Sequence, residues 1–210
     1  MIIKEETSRS ILNKSKSGEY YLGKTDNRYT KSTDCHIITN LNNYNSLDMD
    51  KLFKLDILEL EILVQGKTNK YTVKIILKNI ISELKKYINN NDIFTEKDIL
   101  NAITSSFNNK DIFISCSCPD FTYSGFNYYS AKRNYNSNVI NGPALNPPKI
   151  KNPLNTKGSA CKHIIYILRN LNWLKQLSVI LYNYILYIKE HKYQLYLNVI
   201  YPKLYDNKKV

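Results

Sequence analysis

Two short motifs, with 42 residues between Cys118 and Cys161, constrain this chain more than anything else in it: Cys116-Ser117-Cys118-Pro119-Asp120-Phe121 and Cys161-Lys162-His163. Three thiols and one imidazole make a donor set that suits a tetrahedral ion. Zinc is the expected ion, because an imidazole ligand and a redox-silent set argue against an iron–sulfur cluster. On an extended strand Cys116 and Cys118 point to one face, so the chain must turn after them for both sulfurs to meet the same ion. Pro119 ends the strand at that place. Cys161 and His163 stand two apart and cannot share a face of a regular helix, so they are expected in its first turn. Gly158-Ser159-Ala160 leads in, and residues 164–174 form the helix body behind the site. Four protein ligands complete a tetrahedral shell, so the site is expected to be structural, with no catalytic residue.

Around these motifs the periodicity of apolar residues predicts an α+β fold. Leu55 to Val64 and Tyr71, Val73 and Ile75 flank the turn Gln65-Gly66-Lys67-Thr68-Asn69, which reads as a β-hairpin. Its acidic first strand is expected to face Lys70 and Lys74 on the second. Ile80, Ile81, Leu84 and Ile88 share one helical face, ended by Asn89-Asn90-Asn91. Thr95-Glu96-Lys97-Asp98 resembles a capping box opening a second helix, with Ile99, Leu100, Ile103 and Phe107 inward. A strand over 111–115 then delivers the chain to Cys116. After Cys161 the pattern is helical to about Leu174 and again from about Leu177 to Tyr201, before Pro202. Residues 1–45 are rich in Ser, Thr, Asn and Lys and read as a polar extended arm in which Tyr20–Leu22 and Ile37–Ile38 make at most brief strands. Residues 46–210 are expected to be one α+β domain with the zinc site in 111–174.

The pairing of CxCPDF with CKHI resembles the SWIM-type zinc finger, a strand, knuckle and helix module associated with nucleic-acid and protein binding. The resemblance covers residues 111–174, with a spacer longer than is usual for that family. It implies a zinc ion on Cys116, Cys118, Cys161 and His163. The wider layout, from the hairpin through CSCPDF and INGPALNPPKIKNP to CKH, is similar to SWIM-bearing proteins encoded by tailed bacteriophages. That similarity implies a virion component, or a DNA-binding protein of replication or packaging, located in the particle or in the cytoplasm of the infected cell.

Composition narrows the remaining function classes. The formal net charge is +12, and residues 111–210 hold +9 of it, a balance that favours acidic partners or polyanions. Asn, Ile, Lys and Tyr together make nearly half the chain, as an AT-rich genome would supply, so only the placement of such residues carries an argument. Tyr128, Tyr129, Lys132, Arg133 and Tyr135, in a run that begins at Phe121 and Tyr123, interleave rings with positive charge as base-stacking surfaces do. They are the candidate contacts to nucleic acid, or else scaffold and subunit contacts. The expected partners are other protein subunits, with nucleic acid as the alternative through the basic C-terminal half. The most apolar run, Val179 to Ile188, falls far short of the about 20 residues a bilayer needs. Residues 1–10 carry Lys4, Glu5, Glu6 and Arg9 and no apolar centre, so secretion is not expected. The chain has only three histidines and no His-x-Glu, so an enzyme is not expected. Cys35-His36 lacks a second ligand pair and reads as a packed cysteine beside a surface histidine.

Overall fold

Alternation of period two gives the hairpin its buried face. In β2 (Ile57–Gln65), Leu58, Leu60, Ile62 and Val64 are buried while Glu59 and Glu61 point elsewhere. In β3 (Lys70–Lys78) alternation gives way to continuous burial over Ile75, Ile76 and Leu77, the pattern of a strand covered on both faces. The computed structural model describes residues 12, 31–38, 47–87, 94–108, 113–123 and 160–200. Among these, β1 (His36–Ile37) and β4 (Phe113–Cys116) complete a four-stranded sheet of order β1-β2-β3-β4. β1 pairs antiparallel with β2 (Ile37 opposite Val64), and β4 pairs antiparallel with β3 (Ile114 opposite Ile75, Cys116 opposite Val73). The fold is α+β, with the hairpin, the strand into the cysteines and C-terminal helices as expected.

The described residues divide into two compact units, and β2 and β3 supply residues to both. The first holds 12, 31–38, 60–76, 108, 113–123 and 160–171. It contains a 3₁₀ turn at Ser32–Asp34, the short helix α4 (Pro119–Tyr123), and α5 (Lys162–Arg169). The stretch expected as a polar arm lies mostly outside the described residues. Its described part, 31–38, joins the sheet through β1, and buried Ser32 accepts a hydrogen bond from Arg169 Nη1 at 2.8 Å. Cys35 is buried and His36 exposed, as expected of that pair. Burial pushes the Cys35 thiol up from its ordinary range.

The second unit holds 47–59, 77–87, 94–107 and 172–200. Its helices are α1 (Met49–Leu55), α2 (Ile80–Leu84), α3 (Glu96–Asn108), α6 (Asn172–His191) and α7 (Tyr193–Ile200). Ile99, Ala102, Ile103, Ser106 and Phe107 form the buried stripe of α3, at the spacing of one helical face. Leu100, expected inward, is only half-buried because it stands off that stripe. Phe107 packs edge-on against the fully buried Trp173 of α6, with ring centroids 5.3 Å apart. The capping box forms: Thr95 N donates to Asp98 Oδ2 at 2.8 Å and Asp98 N to Thr95 Oγ1 at 3.3 Å.

Two expected boundaries move. Leu55 ends a helix instead of opening the strand, because Asp48 caps α1 by accepting from Lys51 N at 2.9 Å and Leu52 is buried beneath it. Glu59, on the acidic strand, forms an ion pair with Lys51 of α1. At the C-terminal end the helices break at Asn170-Leu171 and Lys192 and not between 174 and 177. Asn170 explains the first break: its side chain and its backbone N–H both donate to the Tyr166 carbonyl, drawing the helix to a close. On these helices Ile180, Leu181, Ile188 and Ile200 are buried, Tyr184 is half-buried, and Leu195 is exposed.

Asp56 joins α1, β2 and α2 within this unit. It sits in the left-handed region at φ 54°. Its carboxylate accepts from Ile81 N at 2.7 Å, Ser82 N at 2.9 Å and Ser82 Oγ at 2.7 Å. Alanine at this position forfeits those bonds and adds left-handed strain, so Asp56→Ala is expected to cost about 2–3 kcal/mol. Asn tolerates the same backbone and keeps one acceptor, so Asp56→Asn is expected to cost less than half as much. Urea unfolding midpoints of the two variants check this. Equal stability of Asp56→Ala and the native chain would remove the cap from the account.

Candidate metal centre

Each ligand is placed by a separate local device, all within the first unit. The buried-face alternation of β4 turns Ile114 and Cys116 the same way, and Cys116 is held by its pairing with Val73. Ser117, between the two cysteines, is tied to β3 in both directions. Its N–H donates to the Thr72 carbonyl and its Oγ accepts from Thr72 N, each at 3.0 Å. The strand therefore stops in a fixed register before the chain turns. Cys118 takes the cap position of α4: its carbonyl accepts from Thr122 N at 3.1 Å and its Sγ from Phe121 N at 3.3 Å. Pro119 occupies the first helical position, where its missing N–H costs nothing.

The second pair sits at the start of α5, as its spacing required. Cys161 is the extended N-cap residue (φ −82°, ψ 172°) and His163 is the second residue of the helix. His163, Ile164, Ile165, Ile167 and Leu168 are the buried residues of α5. Together the four ligand atoms of Cys116, Cys118, Cys161 and His163 lie within 4.8 Å of one another. None of the four side chains is more than 5% exposed. His163 Nδ1 stands 3.8 Å from Cys116 Sγ and 3.9 Å from Cys161 Sγ. Bonds of about 2.3 Å to sulfur and about 2.0–2.1 Å to nitrogen at a tetrahedral angle place S and N about 3.6 Å apart. The cluster is thus able to hold a metal ion and is compatible with a zinc-finger site.

Electrostatics supports the same conclusion. Three thiols in a dry site cannot all ionise without a counter-charge. The Cys118 thiol is held well below its ordinary range by the hydrogen bond from Cys116 and then by one from Cys161. Cys116 is pushed up through that same bond, and Cys161 is pushed up first by burial. A divalent cation removes the conflict, since every thiolate then faces positive charge.

Comparison with known protein families, with curated proteins and with solved structures returns no match. The site rests on its own geometry.

Other expected contacts fall differently. Tyr128, Tyr129, Lys132, Arg133 and Tyr135 lie outside the described residues. Phe121, at the start of that aromatic run, is 1% exposed and packs in the core, so it offers no ring to a base. Two neighbours of the centre were not marked by the sequence. The Tyr71 ring lies 4.6 Å from the His163 ring at an interplanar angle of 42°. Gly66 approaches His163 so closely that a Cβ on it would sit 2.8 Å from Nε2. Turn chemistry alone accounts for a glycine after Gln65, so its second role left no trace in the sequence.

The isolated chain is expected to carry one divalent metal ion. Cys161→Ser and His163→Ala are expected to lose it and to speed amide exchange over 113–123 and 160–169 by orders of magnitude. Elemental analysis and hydrogen exchange check this. Well under one equivalent of metal in a chain with unchanged protection would refute the site.

Proposed function

We propose that this chain is a non-enzymatic structural protein of a large assembly, its fold closed by one zinc ion on Cys116, Cys118, Cys161 and His163. The observation that carries the reading is the burial of all four donors in one cluster. A tetrahedral shell filled by protein leaves no position for substrate. The Cys₃His set favours zinc over softer or harder ions. When bound, the ion supplies cross-linking: it joins the end of β4 to the start of α5. Structural zinc in small modules is worth about 10–16 kcal/mol in apparent binding, enough to decide whether such a segment folds.

The CxC and CxH spacing supports a SWIM-type centre, and the order of hairpin, CSCPDF, proline-rich spacer and CKH supports a tailed-phage protein. A particle component fits a centre that holds shape and does no chemistry. In this reading residues 1–30, polar and without an apolar period, reach neighbouring subunits. A second reading, a SWIM protein acting on phage DNA, is favoured by the charge of +9 over residues 111–210. Among the described residues no helix is long and apolar enough to cross a membrane.

Deletion of residues 1–30 separates the two readings. The shortened chain is expected to keep its zinc and its protected core but to be absent from purified particles by mass spectrometry. Normal incorporation would overturn the assembly role of that segment. DNA binding predicts instead a gel shift at about 50 mM salt that weakens steeply by about 200 mM, with a shallower slope in Lys132→Ala/Arg133→Ala. No shift at low salt removes that reading.

A further inference from the structure

His163 is held in one orientation by something other than a hydrogen bond. A metal-bound histidine ordinarily donates its second ring N–H to a carboxylate, a carbonyl or a water, and that bond fixes the ring. Here Nδ1 faces the sulfurs of Cys116 and Cys161. Nε2 is buried and has no hydrogen-bond partner among the described residues. What it meets is the hairpin turn. A Cβ on Gly66 would lie 2.8 Å from Nε2 and 3.6 Å from Cδ2, so that edge of the ring rests directly on the Gly66 backbone. The turn is closed by Gly66 N donating to the Asn69 carbonyl at 2.8 Å, and Gln65 Nε2 donates to the Gly66 carbonyl at 2.8 Å. Tyr71, just beyond it, packs its ring on the imidazole.

We propose that the β2–β3 turn is a clasp: it fixes His163 for ligation through Nδ1, with Gly66 and Tyr71 as positioning residues. This rests on the metal reading above and adds to it the ligating atom and the part of the chain that selects it. The ring chemistry agrees with the spacing. Nδ1 is adjacent to the carbon that carries the side chain, so an ion bound there stays close to the helix backbone. That short reach is what a ligand two residues after Cys161 requires. Turning the ring over would bring Cδ2 to the sulfurs and Nδ1 to Gly66, and would leave Nε2 as the ligating atom. Packing against the turn thus replaces the missing hydrogen bond, and it works only because residue 66 has no side chain.

Two measurements on the full chain test the clasp. In the zinc-loaded native protein, nitrogen-resolved NMR of the His163 ring is expected to show a metal-bound Nδ1 and a protonated Nε2. A metal-bound Nε2 with a protonated Nδ1 would overturn the proposal while leaving the zinc site intact. Gly66→Ala is expected to speed zinc transfer to a chelating dye by about tenfold or more, the size of effect seen when support around a ligand is removed. It should also shift the visible absorption of the cobalt-loaded protein, a change that a loss of hairpin stability alone would not cause. Lys67→Ala, in the same turn, is the control and should change neither. Native transfer rates and an unshifted cobalt spectrum in Gly66→Ala would overturn the clasp. If that variant does not fold, the NMR result on the native chain decides. A native chain that binds no zinc overturns the metal reading itself, an outcome distinct from binding through the wrong nitrogen.

Discussion

Crowding of three thiols and an imidazole in a space from which water is excluded is the condition on which the rest of the first unit depends. Their mutual hydrogen bonds and burial push Cys116 and Cys161 up from the ordinary thiol range and hold Cys118 below it. A cation favours the thiolate form of every cysteine at once. The strand end, the knuckle and the helix start are then parts of one electrostatic object. Their local anchors (the Val73 pairing, the Ser117–Thr72 bonds, the two cap positions) set the spacing of the donors.

The second unit is held by different physics. No ligand cluster occurs among its described residues. Burial of apolar stripes does the work, through Leu52 on α1, Ile99, Ile103 and Phe107 on α3, and Trp173, Leu177 and Leu181 on α6. Burying one large apolar side chain is worth about 1.5–3 kcal/mol, before the entropy of ordering the chain is set against it. Polar groups in this unit serve as joints. Ser106 Oγ donates to the Lys78 carbonyl at 2.6 Å, and Ser105 Oγ to Glu83 Oε2 at 2.9 Å. Hydrogen bonds from Lys86 and then from Ser105 hold the Glu83 carboxyl below its usual range.

Much of this was legible in the sequence wherever one residue type has one physical use. Three cysteines and a histidine at CxC and CxH spacing have few alternatives to a metal, and the structure brings them together across 42 intervening residues. The hairpin and the Thr95 capping box were legible because alternation and capping are local. What escaped was set by packing between distant segments. Met49–Leu55 is helical because Asp48 caps it and Leu52 finds a buried place, while Leu55 itself merges by eye with the apolar strand beyond Asp56. The pairing of Ile37 with Val64 is a two-residue contact with no period to detect. Gly66 and Tyr71 touch His163 across nearly a hundred residues of chain, and each has an ordinary local explanation that hides the contact.

The separate anchoring of the two ligand pairs has a consequence for how such a chain can change over generations. Cys116 and Cys118 are fixed by β4, its neighbour β3 and the short helix α4, Cys161 and His163 by the first turn of α5, and each of these devices is local. Closing a loop costs only about 0.6 kcal/mol more for each doubling of its length. A spacer of 42 residues therefore burdens the centre scarcely more than one half as long. Between Tyr123 and Ala160, sequence can be inserted, lengthened or exchanged at little cost to the closure of the centre. Novelty in a lineage of such proteins should accumulate there first, and the four ligands should be the last positions to move.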